Sequence, residues 1–133
     1  EQITKTGRAR LFQSHHPDYS DGGQIRDFVW VSDCVDIMCW LYSAGTINGI
    51  YNCGTGEGRS FKELAEACFA AMCIQPKIEY VPTPTSIRDK YQYFTQAKMS
   101  RLRQSGYEKP FTSIEDGTKF YIGNYLSTSD WYR

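Results

Sequence analysis

The sequence predicts an α/β fold, because short apolar runs of the strand type alternate with segments of helical periodicity. The strand signal lies at residues 28–31, 49–54 and 77–81, where apolar, β-branched and aromatic side chains cluster. A helical pattern follows each of the first two runs, and two helical patterns follow the third. The predicted order is therefore strand, helix, strand, helix, strand, helix, helix.

The bulk composition fits a single domain of this class. The chain has 133 residues, enough to bury roughly two thirds of its unfolded surface. Its 15 basic and 15 acidic side chains balance, which indicates neither a disordered chain nor a partner nucleic acid. No apolar run approaches the roughly 18 residues of a membrane span, so we expect a soluble cytoplasmic protein with no membrane partner. The chain opens with Glu1 instead of Met, and we expect it to belong to a longer reading frame.

The first predicted helix follows the apolar run at 28–31. Ser32 is its predicted N-cap, and Asp33 and Asp36 place negative charge in the first turn. Gly45 is expected to end the helix. Side chains at helical spacing form its predicted buried stripe: Val35, Met38, Cys39 and Tyr42.

The second predicted helix begins at a capping box formed by Ser60 and Glu63. Such a box supplies hydrogen-bond partners for backbone N–H groups that the first turn of a helix leaves unpaired. This is the strongest helix signal in the sequence. The predicted inner stripe consists of Phe61, Leu64, Ala65, Cys68 and Met72.

The last third of the chain predicts a polar loop and two helices. Pro82 and Pro84 end the third strand, and a polar loop with several aromatic residues follows. A modest helix is predicted at 95–104, and Thr112 with Glu115 is the predicted cap of the last helix. The shared face of that helix consists of Ile114, Thr118, Tyr121 and Tyr125.

No metal site is predicted from the cysteines or histidines. The five cysteines form no CxxC pair, which predicts small buried side chains in a reducing compartment. His15, His16, Asp18 and Asp21 are metal-ligating residue types, but adjacent histidines seldom converge on one ion. Glycines and a proline surround them, so a solvated loop is the favoured interpretation.

Glycines at 54, 56 and 58 stand between a predicted strand and a helix, the position of a dinucleotide fingerprint. Their spacing is G-x-G-x-G instead of G-x-G-x-x-G, which favours a plain tight turn. No Tyr-x-x-x-Lys pair, G-x-S-x-G motif or Walker pattern occurs. The sequence therefore predicts neither catalytic residues nor cofactor-binding residues in this chain.

Two cationic places are candidates for binding an anion. Arg26 stands at the mouth of a predicted strand, where its planar fork suits a diphosphate, although a surface salt bridge with Asp27 explains the pair equally well. The second place is the loop that carries Arg88 and Lys90 together with two tyrosines, Tyr91 and Tyr93; a solvated loop is its alternative.

A resemblance to a known family narrows these alternatives. Residues 26–36, "RDFVWVSDCVD", resemble the R-D-[FY]-V-x-V-x-D segment in the C-terminal half of extended short-chain dehydrogenase/reductases, which include sugar-nucleotide epimerases and dehydratases. Residues 50–61 are similar to the superfamily's later sheet strand and following helix. The segments Pro82-x-Pro84, 91–97 and 106–111 resemble the ADP-glycero-manno-heptose 6-epimerase family.

The resemblance runs from Arg10 onward and matches only the C-terminal part of the family's protein. It implies a late Rossmann strand and helix followed by the small substrate-binding domain. Residues 1–133 would then be the sugar-nucleotide-binding portion, and the N-terminal NADP-binding Rossmann domain would be absent from this chain. We expect the full-length enzyme to form a homo-oligomer, and the isolated chain to self-associate through surfaces that the other half would cover.

The resemblance also implies the substrate contacts. Arg26 and Tyr91 match residues that contact the nucleotide-sugar in the family, and Phe12, Gln13 and Ser14 match the loop that lines the same pocket. A longer gap between that loop and Arg26, which includes His15, makes the loop's assignments less secure.

The implied reaction interconverts the two C6 epimers of ADP-heptose by transient oxidation and reduction with NADP, in lipopolysaccharide core synthesis. The catalytic Tyr-x-x-x-Lys pair would belong to the absent half, so the fragment alone is expected to be inactive. The alternatives are a UDP-hexose 4-epimerase, a nucleotide-sugar dehydratase or a non-catalytic binding module.

Overall fold

The computed structural model describes residues 1–45 and 48–127. Helices are the main regular structure of the described residues, and the strands are short. A short π-helical segment, Ile122–Leu126, continues the last helix. In chain order the elements are α1 (Gln2–Thr6), β1 (Ala9–Phe12), β2 (Ile25–Arg26), α2 (Val31–Ala44), β3 (Arg59–Ser60), α3 (Phe61–Ala71), β4 (Ile78–Val81), α4 (Thr85–Arg88), α5 (Ser100–Gln104) and α6 (Ile114–Tyr121).

Two small sheets form the frame. Strands β1 and β4 pair in parallel from Ala9 opposite Ile78 to Phe12 opposite Val81. The pairing confirms the strand predicted at 77–81, whereas β1 has no counterpart in the prediction. Strands β2 and β3 pair antiparallel, which places Arg26 opposite Arg59.

The strand predicted at 28–31 is wrong, because the observed strand, β2, lies entirely before residue 28, at Ile25–Arg26. Residues 28–30 have no strand partner in the described chain, and α2 already begins at Val31. Trp30 is the N-cap of α2 and makes no side-chain capping bond, so the prediction of Ser32 as the cap is also wrong. The strand predicted at 49–54 is absent as well, since no described strand lies beside it to pair with its backbone groups.

Helix α2 turns its predicted buried stripe towards solvent. Met38 is 60% exposed and Tyr42 90% exposed, together with Val31 and Val35 on the same side. The opposite side packs inward, where Ile37 joins a core cluster with Leu102. We call the exposed set, Val31, Val35, Met38 and Tyr42, the α2 stripe.

Helix α3 has the predicted capping box. The Ser60 hydroxyl accepts a hydrogen bond from the Glu63 backbone N–H at 3.1 Å, and the Glu63 carboxylate accepts one from the Ser60 N–H at 2.6 Å. Its buried residues Ala65 and Phe69 form the second core cluster with Ala9 of β1. The remaining predicted inner residues Leu64, Cys68 and Met72 face α6 across a cavity of about 560 Å³.

The last two helices begin later than predicted, because their leading residues are bonded elsewhere. Helix α5 begins at Ser100, since the backbone N–H groups of Thr95 and Ala97 donate to Ile25 and Asp27. The cap of α6 is Ser113, which accepts from the Asp116 N–H at 3.0 Å. The predicted cap, Thr112, instead donates from its N–H and its hydroxyl to the buried carboxylate of Asp33.

The cysteines and the apolar length of the helices were both subjects of the sequence prediction. All five cysteines are free thiols, but Cys39, Cys53 and Cys73 are exposed, so the prediction that they are buried is wrong for these three. No helix within residues 1–45 and 48–127 is long and apolar enough to cross a membrane.

Candidate functional site

Strand β2 holds the Arg26 guanidinium in a fixed orientation. One terminal nitrogen donates to the Ile25 carbonyl at 2.7 Å, and the other donates to the Gln92 carbonyl at 2.6 Å. The guanidinium carbon lies 5.7 Å from the centre of the Phe61 ring and 5.8 Å from that of Tyr91. Because the two bonds use two of the five N–H donors, the fork is fixed and retains donors for an anion.

Tyr91 is the second predicted contact residue, and the fold brings it against Arg26. Its ring meets Phe12 edge-on at 6.1 Å between centroids. Burial raises the pKa of the Tyr91 phenol, while the neighbouring positive charge of Arg26 opposes that rise. The phenol is therefore protonated at neutral pH and can donate a hydrogen bond.

The segment after β1 carries the remaining predicted contacts. The Gln13 backbone continues the sheet, since its N–H donates to Val81 at 2.8 Å and its carbonyl accepts from the Thr83 hydroxyl at 2.8 Å. The Ser14 N–H donates to the Asp21 carboxylate at 2.7 Å. The backbone of this segment is thus fixed, and the Gln13 side chain is exposed. Contact of these residues with a nucleotide-sugar stays a prediction.

A cluster of five rings adjoins this segment, and sequence reasoning did not predict it. Tyr93 lies at its centre, with ring centroids 5.0 to 5.5 Å from those of its four neighbours. The interpretation of the adjacent histidines as a solvated loop does not include this cluster, because the partner Tyr93 is 78 residues away from His15. We call this set the ring cluster: His15, His16, Tyr19, Tyr91 and Tyr93.

Asp27 does not pair with Arg26 but holds two loops together. One carboxylate oxygen accepts from the Thr55 N–H at 2.7 Å and the Thr55 hydroxyl at 2.6 Å. The other accepts from the N–H groups of Gly56 at 2.9 Å and Ala97 at 3.0 Å. Burial favours the neutral acid, but these four hydrogen bonds outweigh it and lower the pKa of Asp27.

The glycine turn is structural, as its spacing predicts. The N–H groups of Thr55 and Gly56, which a phosphate would need, already donate to Asp27. A Cβ at Gly54 would lie 2.5 Å from the Ala97 Cβ and 2.7 Å from an Asp27 oxygen, so the close approach requires glycine. The turn therefore does not fit the pyrophosphate of a dinucleotide cofactor.

The large cavity is separate from these residues. It is lined mainly by apolar side chains of α3, α6 and residues 28–30, and none of the five predicted contact residues lines it. Among the described residues no group of three histidine, cysteine or acidic side chains is arranged to hold a metal ion.

Comparisons with known proteins agree with the motif resemblance. No protein-family model matches the chain. The chain is 48% identical to an ADP-L-glycero-D-manno-heptose-6-epimerase of Nitratidesulfovibrio vulgaris, over 97% of this chain and 40% of the relative. The chain thus spans about 40% of the length of the curated relatives it matches.

Two solved structures share the fold at the same level of similarity. The Helicobacter pylori ADP-L-glycero-D-manno-heptose-6-epimerase has a TM-score of 0.72 at 23% identity, covering 92% of this chain and 34% of that one. The Thermus thermophilus UDP-glucose 4-epimerase in complex with NAD also has a TM-score of 0.72, at 24% identity, covering 92% and 37%. These similarities confirm the predicted α/β fold, which the chain shares with part of each of these two epimerases. Over nearly its whole length the chain is therefore a homologue of part of the ADP-L-glycero-D-manno-heptose-6-epimerases.

Proposed function

We propose that this chain is the C-terminal, substrate-binding part of an ADP-heptose 6-epimerase. Residues 1–133 would bind the nucleotide-sugar, and an N-terminal Rossmann domain outside this chain would bind NADP. The reaction would interconvert the two C6 epimers of the heptose through transient oxidation and reduction. The setting would be cytoplasmic synthesis of the lipopolysaccharide core.

The observation that carries the proposal is the fixed guanidinium of Arg26 beside the phenol of Tyr91. The two groups come from distant parts of the chain, yet the Arg26 carbon lies 5.8 Å from the Tyr91 ring centre. A guanidinium supplies paired N–H donors and positive charge for a diphosphate, and a phenol adds a neutral donor. Phe12 also belongs to this group, because its ring meets the Tyr91 ring edge-on.

The chain's own residues would bind and orient the substrate. The bound nicotinamide would carry the hydride, and the acid and base groups would belong to the other domain. Fixed donors on the diphosphate hold the sugar in one place while its reacting carbon meets the cofactor, which raises the rate by positioning alone. We accordingly expect the isolated chain to bind nucleotide-sugar and to be inactive.

A UDP-hexose epimerase is the second candidate, because the UDP-glucose 4-epimerase fold matches with the same TM-score. The sequence favours the heptose enzyme, since curated relatives that are 39 to 48% identical to the chain are heptose epimerases. Assays of the longer protein with ADP-heptose and with UDP-glucose would separate the two, because the proposal requires turnover of ADP-heptose.

The direct test is Arg26→Ala in the isolated chain, with ADP-mannose as the ligand probe. We expect binding to weaken by about 1 to 3 kcal/mol, as for the loss of a charge-assisted contact. Arg26→Lys keeps the charge but loses the fork, so its affinity should fall in between. Arg10→Ala is the matched control, because Arg10 is an exposed β1 residue paired with Glu79. Equal affinities of Arg26→Ala and the unsubstituted chain in calorimetry would contradict the proposed site.

A further inference from the structure

We propose that Tyr93 is a positioning residue for the nucleotide-sugar site: its hydroxyl holds His15 through two hydrogen bonds, and its ring joins the two loops that carry the substrate contacts. The inference rests on the proposed function for the identity of the ligand. Its geometric part concerns Tyr93 and His15 alone and can be tested without any ligand.

The hydrogen bonds of His15 determine its tautomer. The Nε2 atom lies 3.0 Å from the Arg88 carbonyl oxygen, which can only accept, so Nε2 carries the hydrogen. In the neutral ring Nδ1 is then an acceptor, and the Tyr93 hydroxyl 2.8 Å away must donate to it. The same hydroxyl oxygen accepts from the His15 backbone N–H at 2.9 Å.

One phenol thus satisfies both a ring nitrogen and the backbone N–H of the same histidine. These two hydrogen bonds fix the rotation of the imidazole, while the Arg88 carbonyl sets its tautomer. Without the hydroxyl, Nδ1 and the backbone N–H would both lose their partner. The Arg88 carbonyl would still keep the hydrogen on Nε2, but that would be the last hydrogen bond to the imidazole within the described residues.

The Tyr93 ring connects two loops that are remote in sequence. On one side it packs against His16 at 5.1 Å and Tyr19 at 5.0 Å, in the loop that follows Ser14. On the other side it meets the Tyr91 ring edge-on at 5.5 Å. The predicted contacts Phe12, Gln13 and Ser14 therefore belong to one joined loop, and Tyr91 to the other.

The position of Tyr93 suits a role at the site better than a role in stability. Both hydrophobic core clusters of the described chain lie elsewhere, around Leu102 and around Phe69. Tyr93 is half-buried, and its partner histidines are exposed. Removing only its hydroxyl should therefore leave the fold intact and change the order of the loops.

The test is Tyr93→Phe in the isolated chain, with Tyr19→Phe as the matched control. Tyr19 belongs to the same ring cluster, but its hydroxyl makes no hydrogen bond within the described residues. Nitrogen-15 NMR of the imidazole should show the Nε2–H tautomer in the unsubstituted chain, and in Tyr93→Phe the Nδ1 resonance should shift because Nδ1 has lost its hydrogen-bond donor. Exchange of the His15 amide should accelerate only in Tyr93→Phe, while the melting temperatures of all three proteins stay close.

Calorimetry with ADP-mannose then tests the role in binding. We expect the dissociation constant of Tyr93→Phe to rise roughly 3- to 10-fold, the range for one or two lost neutral hydrogen bonds, and that of Tyr19→Phe to stay unchanged. An unchanged Nδ1 resonance and an unchanged exchange rate of the His15 amide in Tyr93→Phe would overturn the geometric part. Changes at both places with unchanged affinity would show that Tyr93 is structural only. Failure of the unsubstituted chain to bind ADP-mannose would instead refute the proposed function and, with it, the role of Tyr93 in binding.

Discussion

Replacement of Asp27 by asparagine should destabilise the fold, because this one carboxylate joins the glycine turn to the segment before α5. Each of its oxygens accepts two hydrogen bonds, one pair from Thr55 and the other from Gly56 and Ala97. An asparagine keeps one oxygen but turns an NH₂ group towards donors at the other position. Two hydrogen bonds are lost, and two N–H or O–H groups then face a donor.

The size of the effect follows from those four bonds. A hydrogen bond to a charged group contributes about 1.5 to 3 kcal/mol, so two of them set an upper limit of about 3 to 6 kcal/mol. A neutral amide costs less to bury than a charged carboxylate, and this difference offsets part of the lost hydrogen-bond energy. We expect the free energy of unfolding of Asp27→Asn to fall by about 2 to 4 kcal/mol, measured by urea denaturation at pH 7. Asp18→Asn, at an exposed loop position, should change it by less than about 0.5 kcal/mol.

The pH dependence gives an independent check with a definite sign. The folded-state pKa of Asp27 lies below its unfolded value, so the ionised carboxylate stabilises the fold above the unfolded pKa of about 3.9. That stabilisation is lost as the pH falls through the folded-state pKa. The difference between the unsubstituted chain and Asp27→Asn should therefore be constant from about pH 5 to 8 and shrink below about pH 4. If Asp27→Asn had the same free energy of unfolding as the unsubstituted chain, the proposed role of the Asp27 carboxylate would be refuted. A difference between the two free energies that grows as the pH falls would refute it as well.

Two further predictions concern close packing and the exposed helix face. Gly54→Ala should lower the free energy of unfolding by about 2 kcal/mol or more in urea denaturation, because its Cβ would meet the Ala97 Cβ at 2.5 Å; Gly123→Ala, with nothing within 4 Å, should not. In light scattering, the isolated chain should self-associate through the α2 stripe, and the double substitution Met38→Lys with Tyr42→Lys should give a monomer. A monomeric unsubstituted chain at the same concentration would contradict this.

Local signals predicted the elements whose causes are local. The capping box of Ser60 and Glu63 fixes the start of α3, because both partners lie within one turn. The prolines after Val81 correctly mark the end of β4. Strand β1 could not be found in the same way: Arg10 interrupts its four-residue sequence, and its partner β4 lies far along the chain.

The site was predictable only in part, for the same reason. Arg26 and Tyr91 were singled out by residue type and by resemblance, and the fold brings them together. The bonds between His15 and Tyr93 join residues separated by 78 positions, and no local pattern indicates such a pair. The sequence allowed a salt bridge between Asp27 and its neighbour Arg26, and only the four donors around the Asp27 carboxylate show that it holds two loops together instead.

Three errors of the sequence prediction have one physical feature in common. The runs at 28–31 and 49–54 have strand composition but no strand partner in the described chain, and the α2 stripe is apolar but exposed. A strand needs a neighbour for its backbone groups, and an apolar helix face needs a surface to cover it. The two runs flank α2, as strands flank the helix of a βαβ unit, so one sheet could satisfy all three needs. The chain spans about 40% of the length of its curated relatives, and the N-terminal domain that we propose would supply that sheet.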